Sequence, residues 1–152
     1  MSDTITKTTF VNAPLERVWR AVSDHREFGE WFRVALDQPF QAGQPTTGKM
    51  TYPGHEGHPW SAEVEAVEPP HRLALRWHPY GIDPNADLDN EPTTLVEFQL
   101  EPEGDGTRVT ITESGFDALP EARRESAMRG NEQGWEIQKD NLREFAEQRA
   151  SA

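Results

Sequence analysis

The chain has 152 residues, 34% of them hydrophobic, and a formal net charge of −12. This length suits one domain with its own core, so we expect a single domain over residues 1–152. The acidic balance argues against nucleic acid as a partner, because phosphate contacts need patches of Lys and Arg, and the absence of cysteine excludes disulfides and thiolate metal sites. No apolar run suits a signal peptide or a membrane span, so we expect a cytoplasmic protein without integral membrane association.

The N-terminal segment predicts one strand and two short helices. Residues 4–11 are rich in Thr, Ile, Phe and Val, which favour a strand. Pro14 suits the first turn of a helix, and apolar residues then recur at i, i+3, i+4 and i+7 on one face. These residues are Leu15, Val18, Trp19 and Val22. Asp24 and Glu27 have the spacing of a capping box, which predicts the start of a second short helix. Its apolar side carries Phe28, Trp31 and Phe32.

Residues 34–116 have the pattern of consecutive strands. The segments 34–40 (VALDQPF) and 48–53 (GKMTYP) predict two short strands. In the later segments apolar and polar residues alternate, so that one face is covered and the other is wet. The inward residues are predicted to be Ala62, Val64, Ala66, Leu73, Leu75, Trp77, Val96, Phe98, Leu100, Val109 and Ile111. The sequence GDG at 104–106 predicts a hairpin turn, and consecutive hairpins imply an antiparallel sheet.

Residues 120–149 predict one long helix that begins at Pro120. Its single stripe is Met128, Asn131, Trp135, Gln138, Leu142 and Phe145. Gly130 and Gly134 share one helix face, although each glycine costs about 1 kcal/mol relative to alanine in a helix interior. Three explanations stay open: a close approach to neighbouring elements, a kink that admits a ligand, or a break with the helix beginning near Glu132.

This order of elements resembles the helix-grip fold of the START-like, or SRPBCC, superfamily. The sequences APLERVWRAVSDHREFGEWF, GTRVTITESGF and GWEIQKDNLREF resemble, in that order, segments of the activator of heat-shock-protein-90 ATPase homologue family. The resemblance implies an α+β fold of order β-α-α-β(5–6)-α, with a curved antiparallel sheet wrapped around a long C-terminal helix. It also implies a cavity between sheet and helix, which the superfamily uses for lipids, hormones, polyketides or other apolar molecules.

The leading hypothesis is therefore a protein that binds a small apolar or amphipathic molecule in this cavity, as a carrier, sensor or sequestering protein. Pockets of this kind are mostly apolar with a few placed polar groups. The predicted lining is Phe32, Trp60, Leu75, Trp77, Tyr80, Phe98, Met128, Asn131, Trp135 and Gln138. The alternative for these residues is a solid core, because aromatic residues at helical or strand spacing usually fill one.

Catalysis in the same cavity is the alternative function, as a cyclase, an aromatase or a hydrolase-like enzyme. His78 and Tyr80 are the candidate catalytic residues, since histidine is the usual general base near neutral pH. Arg76, Asn131 and Glu132 are the other candidate helpers. Arg76 and His78 share a strand face opposite Trp77, so either they or Trp77 face the cavity. A solvent-facing histidine is the simpler interpretation. A chaperone-associated interaction domain, which would use the surface, is a further alternative.

Two patterns resemble metal sites, and neither is complete. His55 and His58 lie three residues apart in a Gly/Pro-rich loop, without the helical spacing of zinc proteases. The second pattern has four residues at the first positions of a calcium loop, but Leu88 stands where glycine is needed and Thr94 where glutamate is needed. Those four residues are Asp83, Asn85, Asp87 and Asp89. We therefore expect no metal and no other cofactor.

Overall fold

A computed structural model describes residues 4–78 and 92–151. The elements in chain order are β1 (Ile5–Val11), α1 (Leu15–Ser23), α2 (His25–Phe32), β2 (Val34–Leu36), β3 (Pro45–Met50), β4 (Pro59–Glu68), β5 (Arg72–Trp77), β6 (Thr94–Glu103), β7 (Gly106–Ser114), a 3-10 turn (Phe116–Ala118) and α3 (Glu121–Ser151). The seven strands form one antiparallel sheet in the order β1-β7-β6-β5-β4-β3-β2. The predicted α+β class and the order β-α-α-β(6)-α are confirmed. In the described part of the chain, no helix is both long and apolar enough to cross a membrane.

The two short helices begin where the sequence predicts. Pro14 lies in extended conformation just before α1, whose Val18 and Val22 are fully buried. Asp24 caps α2, because its carboxylate accepts hydrogen bonds from the backbone N–H groups of Arg26 at 2.9 Å and Glu27 at 3.3 Å. The Glu27 side chain pairs with Arg17 of α1. One half of the predicted capping box therefore forms, and Glu27 joins the two helices.

The inner face of the sheet follows the predicted alternation over most of its strands. Val96, Phe98 and Leu100 are at most 1% exposed. One inward prediction is wrong: a register shift in β4 places Ala66 opposite Ala74 and Val67 opposite Leu73, which is buried. The irregularity adds a residue to β4, so that Val67 takes the inward place predicted for Ala66.

The predicted bounds of the first two short strands also need correction. The first, predicted over 34–40, ends at Leu36. The second, predicted over 48–53, runs from Pro45 to Met50. It ends there because the backbone of Met50 closes a loop with Gly57 and His58. The Met50 N–H donates to His58 O at 2.8 Å, and the Met50 carbonyl accepts from Gly57 N–H at 2.9 Å.

Helix α3 is continuous through both glycines, so the proposed helix break is wrong. A Cβ atom built on Gly130 or Gly134 meets no atom within 4 Å, so the proposed close approach is also wrong. Close approaches occur elsewhere: a Cβ on Gly29 would lie 2.2 Å from Val34 O, and one on Gly48 would lie 2.3 Å from Ala35 O. The glycines of α3 leave space open, whereas Gly29 and Gly48 are needed for backbone packing.

Replacing Gly130 or Gly134 with alanine is expected to raise the free energy of unfolding by about 0.5–1 kcal/mol each. The added methyl group restricts the unfolded chain and meets nothing in the folded one. Gly29→Ala serves as the contrasting variant and should lower stability, because its methyl group collides with a backbone carbonyl. Urea unfolding followed by circular dichroism measures all three. A loss of stability in Gly130→Ala would mean that α3 requires glycine there.

Candidate functional site

A small cavity of about 110 Å³ lies where α2, β5 and α3 meet. Its lining residues are Phe32, Trp77, Asn131, Gly134, Trp135 and Gln138. Phe32 is the last residue of α2, and Trp77 is the last residue of β5. The four residues of α3 lie at i, i+3, i+4 and i+7, which places them on one side of the helix. The site therefore depends on the ends of two elements and the middle of a third.

Three aromatic rings form the apolar part of this wall. Trp77 and Trp135 are stacked, with ring centroids 5.6 Å apart and an interplanar angle of 22°. Phe32 is tilted against both, at 5.9 Å from Trp77 and 6.1 Å from Trp135. Trp60 supports the wall at 5.8 Å from Phe32 and 6.0 Å from Trp77. These distances are typical of favourable aromatic pairs, so the rings stabilise one another's positions.

A buried carboxylate, that of Glu113 on β7, anchors this wall from behind. Its Oε2 accepts from Trp77 Nε1 at 2.7 Å, and its Oε1 accepts from Trp135 Nε1 at 2.8 Å. Asn131 Nδ2 donates to the two oxygens at 2.9 and 3.0 Å. Thr94 Oγ1 donates to Oε2 at 2.5 Å. Three of the six lining residues are thus fixed by one side chain that is itself 0% exposed.

The donors around Glu113 fit an ionised carboxylate. An indole N–H only donates, so both tryptophans require Glu113 to accept. The 2.5 Å distance to the Thr94 hydroxyl lies in the range of hydroxyl hydrogen bonds to charged oxygen. Each of these contacts comes from a neutral group, so hydrogen bonds rather than an ion pair compensate for the loss of water. A carboxylate with this donor set lies behind the cavity wall and suits a negative charge there.

A second polar residue of the cavity wall, Gln138, also bonds to another element. Its Nε2 donates to the carbonyl oxygen of Phe32 at 3.1 Å, which ties α3 to the end of α2. Its Oε1 accepts from Asn141 Nδ2 at 3.1 Å. Asn131 and Gln138 interrupt the apolar stripe of α3 because each bonds to another element: Asn131 to Glu113, and Gln138 to Phe32.

The lysines beside the cavity helix are paired with carboxylates. Lys7 contacts Glu132 at 3.7 Å and Glu136 at 3.0 Å, and Lys139 contacts Glu136 at 3.0 Å and Asp140 at 3.1 Å. Hydrogen bonding to Glu136, then to Asp140, raises the pKa of Lys139. Hydrogen bonds from Lys7 and then Lys139 lower the pKa of Glu136. These ammonium groups are therefore engaged at the surface with their own partners.

The structure brings five of the predicted ligand-binding residues to the cavity wall. They are Phe32, Trp77, Asn131, Trp135 and Gln138. Trp60 belongs to the supporting aromatic cluster, Leu75 and Phe98 are buried in the core, and Met128 packs half-buried against it. Tyr80 lies outside the described residues. Ligand binding by this set stays a prediction.

Three residues of the site are missing from the predicted set. Gly134 lines the cavity, although a residue without a side chain gives little signal of a binding role. Glu113 was detectable, because the alternation of Val109 and Ile111 continues inward at position 113. Thr94 is likewise buried and is paired with Trp77 across β5 and β6. For Glu113 and Thr94, the available signal was a polar residue in an inward strand position.

Among the described candidates for catalysis and metal binding, Asn131 lines the cavity, whereas Arg76, His78, Glu132, His55 and His58 do not. Trp77 faces the cavity, whereas Arg76 is exposed and pairs with Glu65. His78 is half-buried and follows the end of β5. Glu132 is mostly exposed beside Lys7. Tyr80 and the predicted calcium loop, residues 83–89, lie outside the described residues.

The two histidines of the predicted zinc pattern lie in an exposed turn. The N–H of His58 donates to His55 O at 3.1 Å, which closes that turn. Within residues 4–78 and 92–151, no group of three or more His, Asp or Glu side chains is arranged to hold a metal ion. Among the described residues, the aromatic cavity is therefore the candidate site.

A family model agrees with this architecture. The model described as Activator of Hsp90 ATPase homolog 1-like protein matches residues 12–147. The chain belongs to this family. The match extends from the residues before α1 to the last turns of α3, so the family domain includes every residue that lines the cavity. No curated protein matches the chain.

Solved structures share the fold of this family member. MLL2253 from Mesorhizobium loti has a TM-score of 0.75 at 23% identity, over 95% of this chain and 97% of that chain. CV1439 from Chromobacterium violaceum has a TM-score of 0.71 at 19% identity, over 97% of this chain and 99% of that one. DynU16, a protein of the dynemicin biosynthetic locus, has a TM-score of 0.74 at 25% identity, over 97% of this chain. This chain spans 48% of DynU16.

Proposed function

We propose that this family member binds a small apolar or amphipathic molecule in the cavity between its sheet and α3. The observation that carries the proposal is the cavity wall itself: three aromatic rings and two side-chain amides surround an open space. Glu113 holds both indoles and the Asn131 amide in place through hydrogen bonds within the protein. A wall organised in advance reduces the entropy that a ligand must overcome on binding.

The size of the cavity limits what enters it. Its volume of about 110 Å³ is below the range of roughly 300–1,000 Å³ that is typical of sites for drug-sized ligands. The ligand is therefore either a small molecule or one end of a longer amphipathic molecule. The aromatic rings suit an apolar group at the inner end.

Binding of this kind fits the lining chemistry better than catalysis does. None of the six lining residues that the structure describes is a nucleophile or a general base. The carboxylate of Glu113 has both oxygens occupied by donors from the protein. Such a carboxylate supports the wall and is poorly placed to accept a substrate proton.

A panel of lipids, flavonoids and polyketide-like aromatics is expected to contain compounds that raise the melting temperature in proportion to their concentration. A ligand at 100 times its Kd stabilises the folded state by about 2.7 kcal/mol. Because two tryptophans line the cavity, the same compounds should quench tryptophan emission. Gly134→Leu should abolish both effects, because its side chain extends into the cavity from a position with open space.

Gly130→Leu is the matched control for this experiment. It introduces the same side chain one turn earlier on α3, at an exposed position that does not contribute to the lining. Ligand affinity should remain that of the unchanged protein. A panel without any shift or quenching would overturn the proposal, and equal affinities in the two leucine variants would place the ligand elsewhere.

A further inference from the structure

We infer that the ligand enters the cavity with a small organic cation, such as a methylated ammonium group. The inference rests on the proposed function and adds the charge of the group that the cavity selects. Its basis is a buried carboxylate whose donors suit the ionised form and which bonds to two of the three aromatic rings of the wall.

The charge behind the wall is that of Glu113. Glu113 is 0% exposed, and its hydrogen bonds come from neutral groups: two indoles, one amide and one hydroxyl. Hydrogen bonds of this kind stabilise a negative charge without cancelling it. In a protein interior such a charge is screened much less than in water, so its field extends into the adjoining cavity.

The aromatic rings of the wall also suit a cation. The face of an aromatic ring is the negative end of its quadrupole, and indole binds cations better than phenyl does. Trp77 and Trp135 each donate an N–H group to the carboxylate, which shifts electron density into the indole and makes its face more negative. Phe32 adds a third ring within 6.1 Å of both. Aromatic side chains of this kind bind quaternary ammonium groups.

The neighbouring charges favour a cation as well. Lys7 and Lys139 form ion pairs with Glu132, Glu136 and Asp140, so their ammonium groups are engaged outside the cavity. The chain as a whole carries −12, which attracts cations over a distance and repels anions. A ligand carboxylate would meet the field of Glu113 and of this surface. A methylated ammonium group has an apolar exterior that suits the rings and a charge that suits the field.

The inference is tested with three probes of nearly equal shape and different charge. Choline carries the cation, 3,3-dimethylbutan-1-ol replaces its nitrogen with carbon, and 3,3-dimethylbutanoate is the anion. Titrations followed by tryptophan fluorescence and calorimetry at low salt should show choline binding about tenfold more tightly than the alcohol. The carboxylate should bind more weakly than the alcohol. An alcohol that binds as tightly as choline overturns the inference.

Glu113→Gln supplies the second arm of the test. It removes the charge and keeps nearly the same shape, so the preference of choline over the alcohol should fall from about tenfold to about twofold or less. Glu132→Gln is the matched control, because it removes the same charge from an exposed position on α3 and should keep the preference. An unchanged preference in Glu113→Gln overturns the inference. If this variant does not fold, the three-probe series on the unchanged protein decides alone.

The outcomes separate this inference from the proposed function. If members of the apolar panel bind and Gly134→Leu abolishes their binding, ligand binding in the cavity stands. If choline then shows no advantage over the alcohol, the cation inference alone fails. If no panel member and none of the three probes binds, both fail. A choline preference that Gly134→Leu abolishes and Gly130→Leu retains supports both.

Discussion

Glu113→Ala is expected to lower the free energy of unfolding by about 4 kcal/mol, which is a large fraction of the stability of a single domain. The variant leaves the N–H groups of Trp77, Trp135 and Asn131 without their acceptor. It also leaves the buried Thr94 hydroxyl without its short hydrogen bond. Each buried donor without a partner costs about 1–3 kcal/mol, and partial entry of water reduces the sum. Urea unfolding monitored by circular dichroism measures the loss.

Glu65→Ala is the control for removing a strand carboxylate that has a partner. Glu65 pairs with Arg76 at the surface, where its side chain is 40% exposed. Exposed ion pairs contribute about 0–1 kcal/mol, so this variant should remain near the unchanged protein. The stability of Glu113→Gln should lie between those of the two alanine variants. Its amide keeps one acceptor oxygen, but its N–H group faces other hydrogen-bond donors. If Glu113→Ala is no more destabilised than Glu65→Ala, the carboxylate does not anchor the wall.

Much of the fold was predictable because each element buries one face with a regular period. The apolar residues of α1 recur at helical spacing, and the inner residues of β6 alternate, so both patterns identify the element and its buried side. The bounds of β3 and the irregularity in β4 were not predictable in the same way. They depend on hydrogen bonds between segments, such as those joining Met50 to His58 and Gly57, which no local pattern encodes.

The side of α3 that lines the candidate site was predictable from the sequence, whereas the hydrogen bonds around Glu113 were not. The stripe on α3 correctly indicated that Asn131, Trp135 and Gln138 lie on one side of the helix. The same alternation that placed Ile111 inward also places Glu113 inward, but a buried glutamate is usually excluded by its cost. Glu113 is acceptable here because donors from β5, β6 and α3 meet at its two oxygens. The sequence alone does not show that these donors come together.

The two glycines of α3 show what a sequence leaves undecided. Sequence alone allowed a close approach, a kink or a break at Gly130 and Gly134. A continuous helix with open space at both positions removes the first and the third. For Gly134 the open space is part of the cavity, so the missing side chain contributes volume to the site. The kink remains a prediction.

Trp135→Ala is expected to destabilise the protein by about 3–5 kcal/mol, because it removes a large buried side chain from the centre of the structure. The indole is 3% exposed and packs at 5.6 Å from Trp77, 5.7 Å from Phe98 and 6.1 Å from Phe32. It also gives up the hydrogen bond to Glu113. Thermal unfolding followed by calorimetry measures the effect. A variant with so large a loss cannot test ligand binding alone, which is why Gly134→Leu is preferred for that purpose.

Trp135→Phe and Ile137→Ala divide this loss into its causes. The phenylalanine variant keeps a ring and removes the N–H group, so it should cost about 1–3 kcal/mol, the penalty of one missing bond to a buried carboxylate. Ile137 is 52% exposed on the same helix, and truncating it should change stability by less than about 1 kcal/mol. If the Phe variant is as unstable as the Ala variant, the hydrogen bond to Glu113 outweighs the packing of the ring. The carboxylate would then determine the stability of the cavity wall as well as its charge.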